Sequence, residues 1–292
     1  MQKISATLQL HLLVFLLALT GVFGTLMSLS ATSLVIWRTA LATVVMVLWL
    51  LYRKSAPILV SPRAALRMLA VGMIIGLHWV CFYGSLKVAN MTICLTGMAS
   101  ISLFTAFTEP WLIGRGIRKK EVLLGVLVAV GLALIAGVET KHHLGLGLAI
   151  CGAALAAIFP VLNRKFVLTG IAPETLLIWE MPGACLTALL VHPLFASYDS
   201  LLQWQGLDWL WMFFMAVVCT VFGHAFHSHL LRHITAYASN LAMNFEPVHG
   251  ILLGALIFHD YRALQPTFYL GAFTIIVANF LHLRKKDGTT GA

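Results

Sequence analysis

The sequence predicts an all-α membrane protein in which ten transmembrane helices form two inverted five-helix repeats. Sixty per cent of the 292 residues are hydrophobic and only ten per cent are charged, against roughly 25% charged residues in soluble domains. Apolar runs of about 18 to 23 residues recur along the chain, each long enough to cross ~30 Å of hydrocarbon. These runs separate into two sets of five, and an odd number of crossings per set inverts the second set relative to the first.

The predicted spans are joined by short connections, so no separate soluble domain is expected. We divide the chain into a first repeat at 1–140, a second, inverted repeat at 141–284 and a polar cytoplasmic tail at 285–292. The ten predicted spans are 8–27, 34–52, 66–86, 91–113, 122–138, 144–166, 175–194, 209–230, 236–258 and 267–283.

The first apolar run is interpreted as a retained helix rather than a cleaved signal peptide. Its length of about 20 residues exceeds the 7–15 apolar residues that are typical of a signal peptide. Its removal would also leave the first repeat one helix short of the second.

The basic residues predict that both termini lie in the cytoplasm. With the N-terminus inside, 15 of the 19 Lys and Arg residues fall in cytoplasmic segments and 3 in outside loops, a strong positive-inside bias. Arg38, which lies within a span, is the remaining one. We interpret the basic clusters as topology signals against anionic lipid, so the net charge of +9 requires no nucleic-acid partner. We expect a multi-pass protein of the inner cell membrane.

The five cysteines do not form a recognisable framework. All lie inside predicted spans, and their spacing fits neither a zinc site nor a disulfide scaffold. We interpret them as small apolar packing residues, and we expect neither a metal site nor a cofactor.

The two halves share weak internal similarity. Residues 33–38 (SLVIWR) correspond to 175–180 (TLLIWE) at an offset of 142, and the junction 85–89 corresponds to 230–234 at an offset of 145. Together with the equal number of spans, these matches indicate a duplication. The two repeats are expected to pair as one membrane domain.

One stretch of the second half resembles a known family. Residues 231–240 (LRHITAYASN) and 244–248 (NFEPV) are similar to the C-terminal signature of EamA-type carriers of the drug/metabolite transporter superfamily. In these carriers a basic Arg-x-Ile-x-Ala junction leads into a helix with Glu-Pro near its middle. The first half has GSLKVAN at 84–90 and Glu-Pro at 109–110. Where the family often has Gly-Glu after helices 4 and 9, this chain has Gly114-Arg115 and His259-Asp260.

The resemblance implies a fold and a cavity. EamA-type carriers place two inverted five-helix repeats around a central cavity lined mainly by helices 1, 3, 4, 6, 8 and 9. Helices 5 and 10 typically serve packing or a homodimer contact. The resemblance also implies the export of amino acids or other metabolites.

Charged residues inside the spans are candidate functional groups, because each central charge costs roughly 2.5–3.5 kcal/mol on insertion scales. Glu246 lies near the middle of its span and is followed by Pro247, which frees a helix carbonyl. We predict that Glu246 binds a cation, a proton or a substrate amine. Glu109 lies near the cytoplasmic end beside Arg115 and Arg118, where we expect a structural ion pair.

Arg38 and Glu180 occupy matching positions after a Trp in helices 2 and 7. Both are expected near the outer face of the membrane. Two interpretations remain open: the side chains snorkel or form interhelical ion pairs, or they act in gating.

Small polar side chains repeat at four-residue steps in helices 4 and 9, which keeps them on one helix face. Such stripes form either interhelical seams or cavity walls, and we favour cavity walls. The substrate-binding candidates from these stripes are Thr96, Ser100, Asn240 and Asn244, and Thr92 and Ala236 belong to the same stripes.

Aromatic and imidazole side chains cluster in helices 3 and 8, with a counterpart beside the possible kink at Pro160 in helix 6. An aromatic wall with a few polar groups suits an organic solute better than a bare ion. The candidates here are His78, Trp79, Tyr83, Asn163, His224 and His227, with Phe23, Gly24, Phe82, Phe159 and Phe226 nearby.

The sequence therefore predicts a secondary transporter, not an enzyme, that exports small amino-acid-like or amine solutes by alternating access. Proton-coupled transport and facilitated efflux both remain open. An intramembrane metalloenzyme is a second hypothesis, suggested by HAFHSH at 224–229. Helical spacing turns His229 away from His224 and His227, however, and no comparable second histidine box exists. A channel is the third hypothesis, although no repeated pore-filter sequence is present.

Overall fold

The computed structural model describes residues 5–136, 143–257 and 266–283, and within these ranges the chain forms helices and no β-strand. The predicted tail at 285–292, His259-Asp260 and position 141 lie outside the described residues. In chain order the helices are α1 (Ala6–Leu26), α2 (Ala31–Arg53), α3 (Pro62–Val88), α4 (Met91–Met98), α5 (Ile101–Ile113), α6 (Lys119–Ala136), α7 (His143–Ala156), α8 (Phe159–Leu168), α9 (Pro173–Val191), α10 (Asp208–Phe214), α11 (Gly223–Leu230), α12 (Ala236–Met243), α13 (Phe245–Ile257) and α14 (Pro266–Leu283).

Six helical segments of the described chain are long and apolar enough to cross a membrane. They coincide with the first, second, third, sixth, seventh and eighth predicted spans. The protein is therefore an integral membrane protein. The number of ten crossings and the cytoplasmic termini stay predictions. The six segments are Ala6–Leu26, Ala31–Arg53, Pro62–Val88, His143–Leu168, Pro173–Leu194 and Asp208–Leu230.

The fourth and ninth predicted spans are not continuous helices. The first is broken between α4 and α5 at Ala99 and Ser100, and the second is broken between α12 and α13 at Asn244. At both breaks the backbone tightens: Ser100 N–H donates to the Gly97 carbonyl and Asn244 N–H to the Leu241 carbonyl, each at 3.2 Å. In the ninth span Pro247 contributes, because it has no N–H to offer to the carbonyl four residues earlier.

Two other spans are locally irregular. The kink expected at Pro160 is present as the break between α7 and α8. Between α10 and α11 the chain forms a π-helix at Met215–Phe222, in which the Thr220 hydroxyl donates to the Met215 carbonyl at 2.8 Å. Such π-helical stretches are frequent at functional sites, and this one faces α2.

The two halves of the chain meet most closely where α3 crosses α9. A Cβ atom added to Gly72 would lie 2.0 Å from the Glu180 carbonyl oxygen, and one added to Gly183 would lie 2.2 Å from that of Leu69. Small residues allow this backbone contact, as is usual where membrane helices pack tightly. The crossing fixes α3, which carries His78, Trp79 and Tyr83, against the helix that carries Glu180.

Connections that the sequence assigns to the outer face contact one another. Asp208 accepts hydrogen bonds from Ser28 N–H at 3.1 Å and Gln205 N–H at 3.0 Å, and the Lys87 ammonium donates to the Met27 carbonyl at 2.5 Å. The Trp37 indole likewise donates to the Leu201 carbonyl at 2.8 Å.

Connections that the sequence assigns to the cytoplasmic face contact side chains of α8 and α9. Thr175 donates to the Pro57 carbonyl at 2.8 Å, and the Trp179 indole donates to the Ile58 carbonyl at 3.0 Å. The Arg164 side chain donates to the Ile234 carbonyl at 2.9 Å. The polar contacts between connections thus follow the alternation that the charge distribution predicts.

Candidate substrate-binding cavity

A cavity of about 120 Å³ lies between helices from both halves of the chain. Its wall is built from α1, α2, α3, α4, α11 and α12, from the breaks in the fourth and ninth spans, and from the α7–α8 break. Eight of the eleven predicted substrate-binding residues line it: His78, Trp79, Tyr83, His224, His227, Asn240, Asn244 and Glu246.

Three predicted substrate-binding residues do not line the cavity. Ser100 lies at the break after α4, where its hydroxyl donates to the Gly97 carbonyl at 2.7 Å. Thr96 is in α4 and Asn163 is fully buried in α8. Side chains at four-residue steps lie on one face only where the helix is continuous. The break between α4 and α5 therefore explains why Ser100 does not continue the predicted stripe. In its place Ala99 and Ile101 face the cavity.

Arg38 lines the cavity and does not snorkel, because its side chain lies among helices with 3% exposure. Its Nε donates to Thr220 Oγ1 at 2.6 Å and its Nη1 to the Tyr83 hydroxyl at 2.5 Å. The guanidinium carbon also lies 4.1 Å from the centre of the Trp79 ring, within the range of a cation–π interaction. The π-helix brings Thr220 to this position, and no sequence pattern pointed to it.

Glu180 does not pair with Arg38. The indole of the preceding Trp179 donates to the Ile58 carbonyl, in a connection assigned to the cytoplasmic face, so the expectation of a position near the outer face is wrong for Glu180. Glu180 is 0% exposed, and its Oε2 lies 2.9 Å from Nε2 of His224. Its Oε1 has no hydrogen-bond partner among the described residues. The His224 ring lies beside Trp79 and Phe159, at centroid distances of 6.3 Å and 6.2 Å. Glu180 therefore lies behind the cavity wall and reaches it through His224.

The other two histidines of the wall are held by different partners. His78 Nδ1 donates to the Gly152 carbonyl at 2.9 Å, which leaves Nε2 of the neutral ring as an acceptor. His227 Nε2 lies 2.6 Å from the Ser239 hydroxyl, which joins α11 to α12. His229 stacks on Phe226 at 6.5 Å, away from the cavity lining.

The ninth-span break presents amide and carboxyl groups to the cavity. The Asn240 amide donates to Thr105 Oγ1 at 2.8 Å and to the Ala156 carbonyl at 3.4 Å, which ties α12 to the first half. Asn244 is 1% exposed, and neither of its amide atoms has a partner in the described part of the chain. Glu246 lies in the first turn of α13, and no hydrogen bond or ion pair joins it to a described residue.

Glu109 takes part in a structural cluster, as predicted, and not in the cavity. Its Oε2 pairs with Arg115 at 3.0 Å, and its Oε1 accepts the Ala236 N–H at the start of α12 at 3.1 Å. Arg115 also pairs with Glu121 at 2.6 Å. Arg118, the other expected partner of Glu109, instead pairs with Glu121 at 3.4 Å. The cluster connects the fourth span to the beginnings of α6 and α12.

The model of the EamA-like transporter family matches the chain twice, at residues 4–137 and at residues 143–284. The chain belongs to the EamA-like transporter family. Because the match occurs once in each half, the chain has the two-repeat pattern that its internal similarity indicated. As a member of this family it is a membrane protein of the transporter class.

A solved structure shows the same fold. This structure, described only as "Crystal structure of protein", aligns over 94% of this chain and 94% of its own, with a TM-score of 0.73 and 16% identity. At that identity the similarity shows the fold alone. Among the curated proteins, none matches this EamA-family chain.

Proposed function

We propose that this EamA-family protein is a secondary transporter that moves a small organic solute by alternating access through the cavity between its repeats. The observation that carries the proposal is the pair of broken helices at the cavity. Discontinuous membrane helices at matching places in two repeats are typical of transporter binding sites. The breaks follow Met98 and Met243, which differ by 145 positions, the offset of the repeated junctions.

The size and chemistry of the cavity support a small organic solute. An apolar cavity of roughly 150 Å³ accepts benzene, so a cavity of about 120 Å³ has room for a solute of similar size. Aromatic side chains form much of the wall, and a few polar groups converge on it. This composition is typical of sites for small organic molecules. We propose amino-acid-like or amine solutes, carried in the direction of efflux.

The contacts between connections support ten crossings with both termini in the cytoplasm. Ser28, Lys87 and Asp208 belong to connections assigned outside, and they cluster together. Pro57 and Ile234 belong to connections assigned inside, and they accept hydrogen bonds from Thr175 in the first turn of α9 and from Arg164 in α8. We propose two inverted repeats at 1–140 and 141–284 in the inner cell membrane, followed by a cytoplasmic tail at 285–292.

Reconstitution tests the proposal. The purified protein is placed in proteoliposomes and screened for uptake of labelled amino acids, amines and purine-related metabolites. An alternating-access carrier gives counterflow, in which unlabelled solute inside accelerates the entry of labelled solute, whereas a channel does not. Flux without counterflow would favour the channel, and no flux of any solute would contradict transport.

The Glu246→Gln variant tests the site in the same assay. We expect it to reach the membrane and to lose or uncouple transport, because Glu246 is the carboxyl group at the broken helix. Glu174→Gln, in the first turn of α9 and outside the cavity lining, is the matched control. Unchanged flux in Glu246→Gln would remove Glu246 from the site.

A further inference from the structure

We infer that the cavity recognises zwitterionic solutes, with the Arg38 guanidinium binding a carboxylate and Glu246 binding an ammonium group. The inference rests on the proposed transport function and names the class of its substrate. It also assigns Arg38 to substrate binding rather than to gating.

Arg38 has no anionic partner among the residues that the structure describes. None of the ion pairs in the described ranges involves Arg38, and its hydrogen bonds go to two neutral hydroxyl groups, those of Thr220 and Tyr83. A guanidinium has five N–H donors, and these two bonds leave three of them. A charge inside a membrane protein is normally paired or faces a watery cavity that serves function. Arg38 is buried at the cavity wall, so the missing partner is an anion that enters the cavity.

Neither Glu180 nor Glu246 supplies this anion. Glu180 is engaged by His224, and its other oxygen lies behind the wall without a partner among the described residues. Glu246 lines the same cavity as Arg38, yet the two side chains form no ion pair. Among the described residues, the cavity thus presents one guanidinium and one carboxyl group that no ion-pair contact joins.

A single solute can bind both Arg38 and Glu246. A carboxylate matches the planar fork of a guanidinium, which donates two parallel hydrogen bonds. An ammonium group matches the carboxyl of Glu246. The unpartnered amide of Asn244, two residues before Glu246, offers a further acceptor and donor at the same end.

The wall between these groups suits an apolar body. Trp79, Phe82 and Phe159 line the cavity together with Leu95 and Met98. A solute with one charged group would leave either Arg38 or Glu246 without a hydrogen-bonding partner, and a buried polar group without a partner is costly. A zwitterion with a compact apolar side chain leaves neither unpaired.

Three probes with the same apolar body test the inference: L-leucine, isoamylamine, which lacks the carboxylate, and 4-methylpentanoate, which lacks the ammonium group. Binding to the purified full-length protein is measured by calorimetry. We expect leucine to bind at least about tenfold more tightly than either analogue, as is usual when a hydrogen-bonded charge loses its partner. This comparison uses the unmodified chain, so it does not depend on any variant folding.

Two variants test which end of the solute each residue binds. Arg38→Gln should weaken leucine binding but leave isoamylamine unchanged, because isoamylamine has no carboxylate to lose. Glu246→Gln should weaken leucine binding but leave 4-methylpentanoate unchanged. If Arg38 or Glu246 had a purely structural role, its substitution would weaken the binding of all three probes equally. Arg53→Gln on the same helix as Arg38 and Glu174→Gln are matched controls, since neither residue lines the cavity.

The outcomes separate this inference from the proposed function. Leucine binding no tighter than that of the analogues, or equal losses for all probes in both variants, would overturn the inference. If none of the three probes binds while proteoliposomes show counterflow of another solute, the zwitterion assignment fails and the transport function stands. If no solute shows counterflow, the transport function itself fails.

Discussion

His224 Nε2 lies 2.9 Å from Oε2 of Glu180, and this contact joins an imidazole at the cavity wall to a carboxyl group with 0% exposure. The contact is the one hydrogen bond that the described residues give to this carboxyl group. We therefore expect His224→Leu to destabilise the protein strongly. Removing one partner of a buried pair typically costs roughly 3 kcal/mol or more, because the other group is left uncompensated.

The double variant Glu180→Leu/His224→Leu is the informative control for this prediction. Replacing both partners by apolar side chains leaves no orphaned charge, so it should recover most of the stability that His224→Leu loses. Thermal unfolding in detergent, followed by the loss of the monodisperse peak, measures all three proteins. A double variant less stable than His224→Leu would show that the contact is not what holds Glu180.

The crossing of α3 and α9 leaves no room for a side chain at Gly72. A Cβ atom there would lie 2.0 Å from the Glu180 carbonyl oxygen, which is rigid backbone. We expect Gly72→Val to push the two helices apart and to reduce the yield of folded protein severely. Gly147→Val is the matched control, because Gly147 is an exposed helical glycine with no atom within 4 Å of an added Cβ. Equal yields of the two variants would contradict the close crossing.

The Glu109 side chain should stabilise the protein chiefly as a hydrogen-bond acceptor for α12. Glu109→Ala leaves the Ala236 N–H without its acceptor and removes one partner of Arg115, so we expect a loss of about 1–3 kcal/mol. Glu109→Gln keeps an acceptor oxygen and should lose less. Unfolding by heat in detergent compares the two. A loss in Glu109→Gln as large as that in Glu109→Ala would show that the ion pair dominates.

The pH dependence of this cluster follows from Arg115. Burial lowers the pKa of its guanidinium, but hydrogen bonds to Glu121 and Glu109 outweigh burial and leave the pKa raised. A group with a raised pKa contributes stability that is lost only as the pH rises through that pKa. The Arg115 contribution should therefore be constant between about pH 5 and pH 9.

The orientation of the chain is tested by cysteine labelling in intact cells. In a background without native cysteines, Lys141→Cys should react with a membrane-impermeant maleimide added outside, whereas Arg118→Cys should react only after the cells are opened. The positive-inside distribution places these positions on opposite faces. The reverse labelling pattern would invert the predicted topology.

Several features of the site were predictable because they depend on local sequence. Asn240, Asn244 and Glu246 lie within one predicted span, on both sides of its break. The four-residue step between the two asparagines indicated a polar cavity wall, and Pro247 indicated a freed helix carbonyl beside Glu246. His78, Trp79 and Tyr83 likewise share one face of α3. Thr96 and Ser100 do not line the cavity, and nothing in the local sequence showed that the fourth span would break between them.

The partners of the buried charges were not predictable from local sequence. Matching positions of Arg38 and Glu180 in the two repeats suggested snorkelling or interhelical ion pairs, and the structure shows no snorkelling and no pair between these two residues. Arg38 instead contacts Thr220, which is 182 residues away and is positioned by a π-helix. Glu180 contacts His224, 44 residues away on another helix.

The sequence by itself determined the class of the protein, because hydrophobicity over the length of a bilayer crossing, basic residues in loops and repeated junction motifs are properties of short segments. It therefore determined the helical membrane fold, the two repeats, the family and most of the polar residues at the cavity. Only the tertiary structure decided which buried charges are paired and which face the cavity. Whether a buried charge is paired depends on where α3 crosses α9 and on how α2 meets the π-helix. Such crossings bring together residues that are distant in the chain.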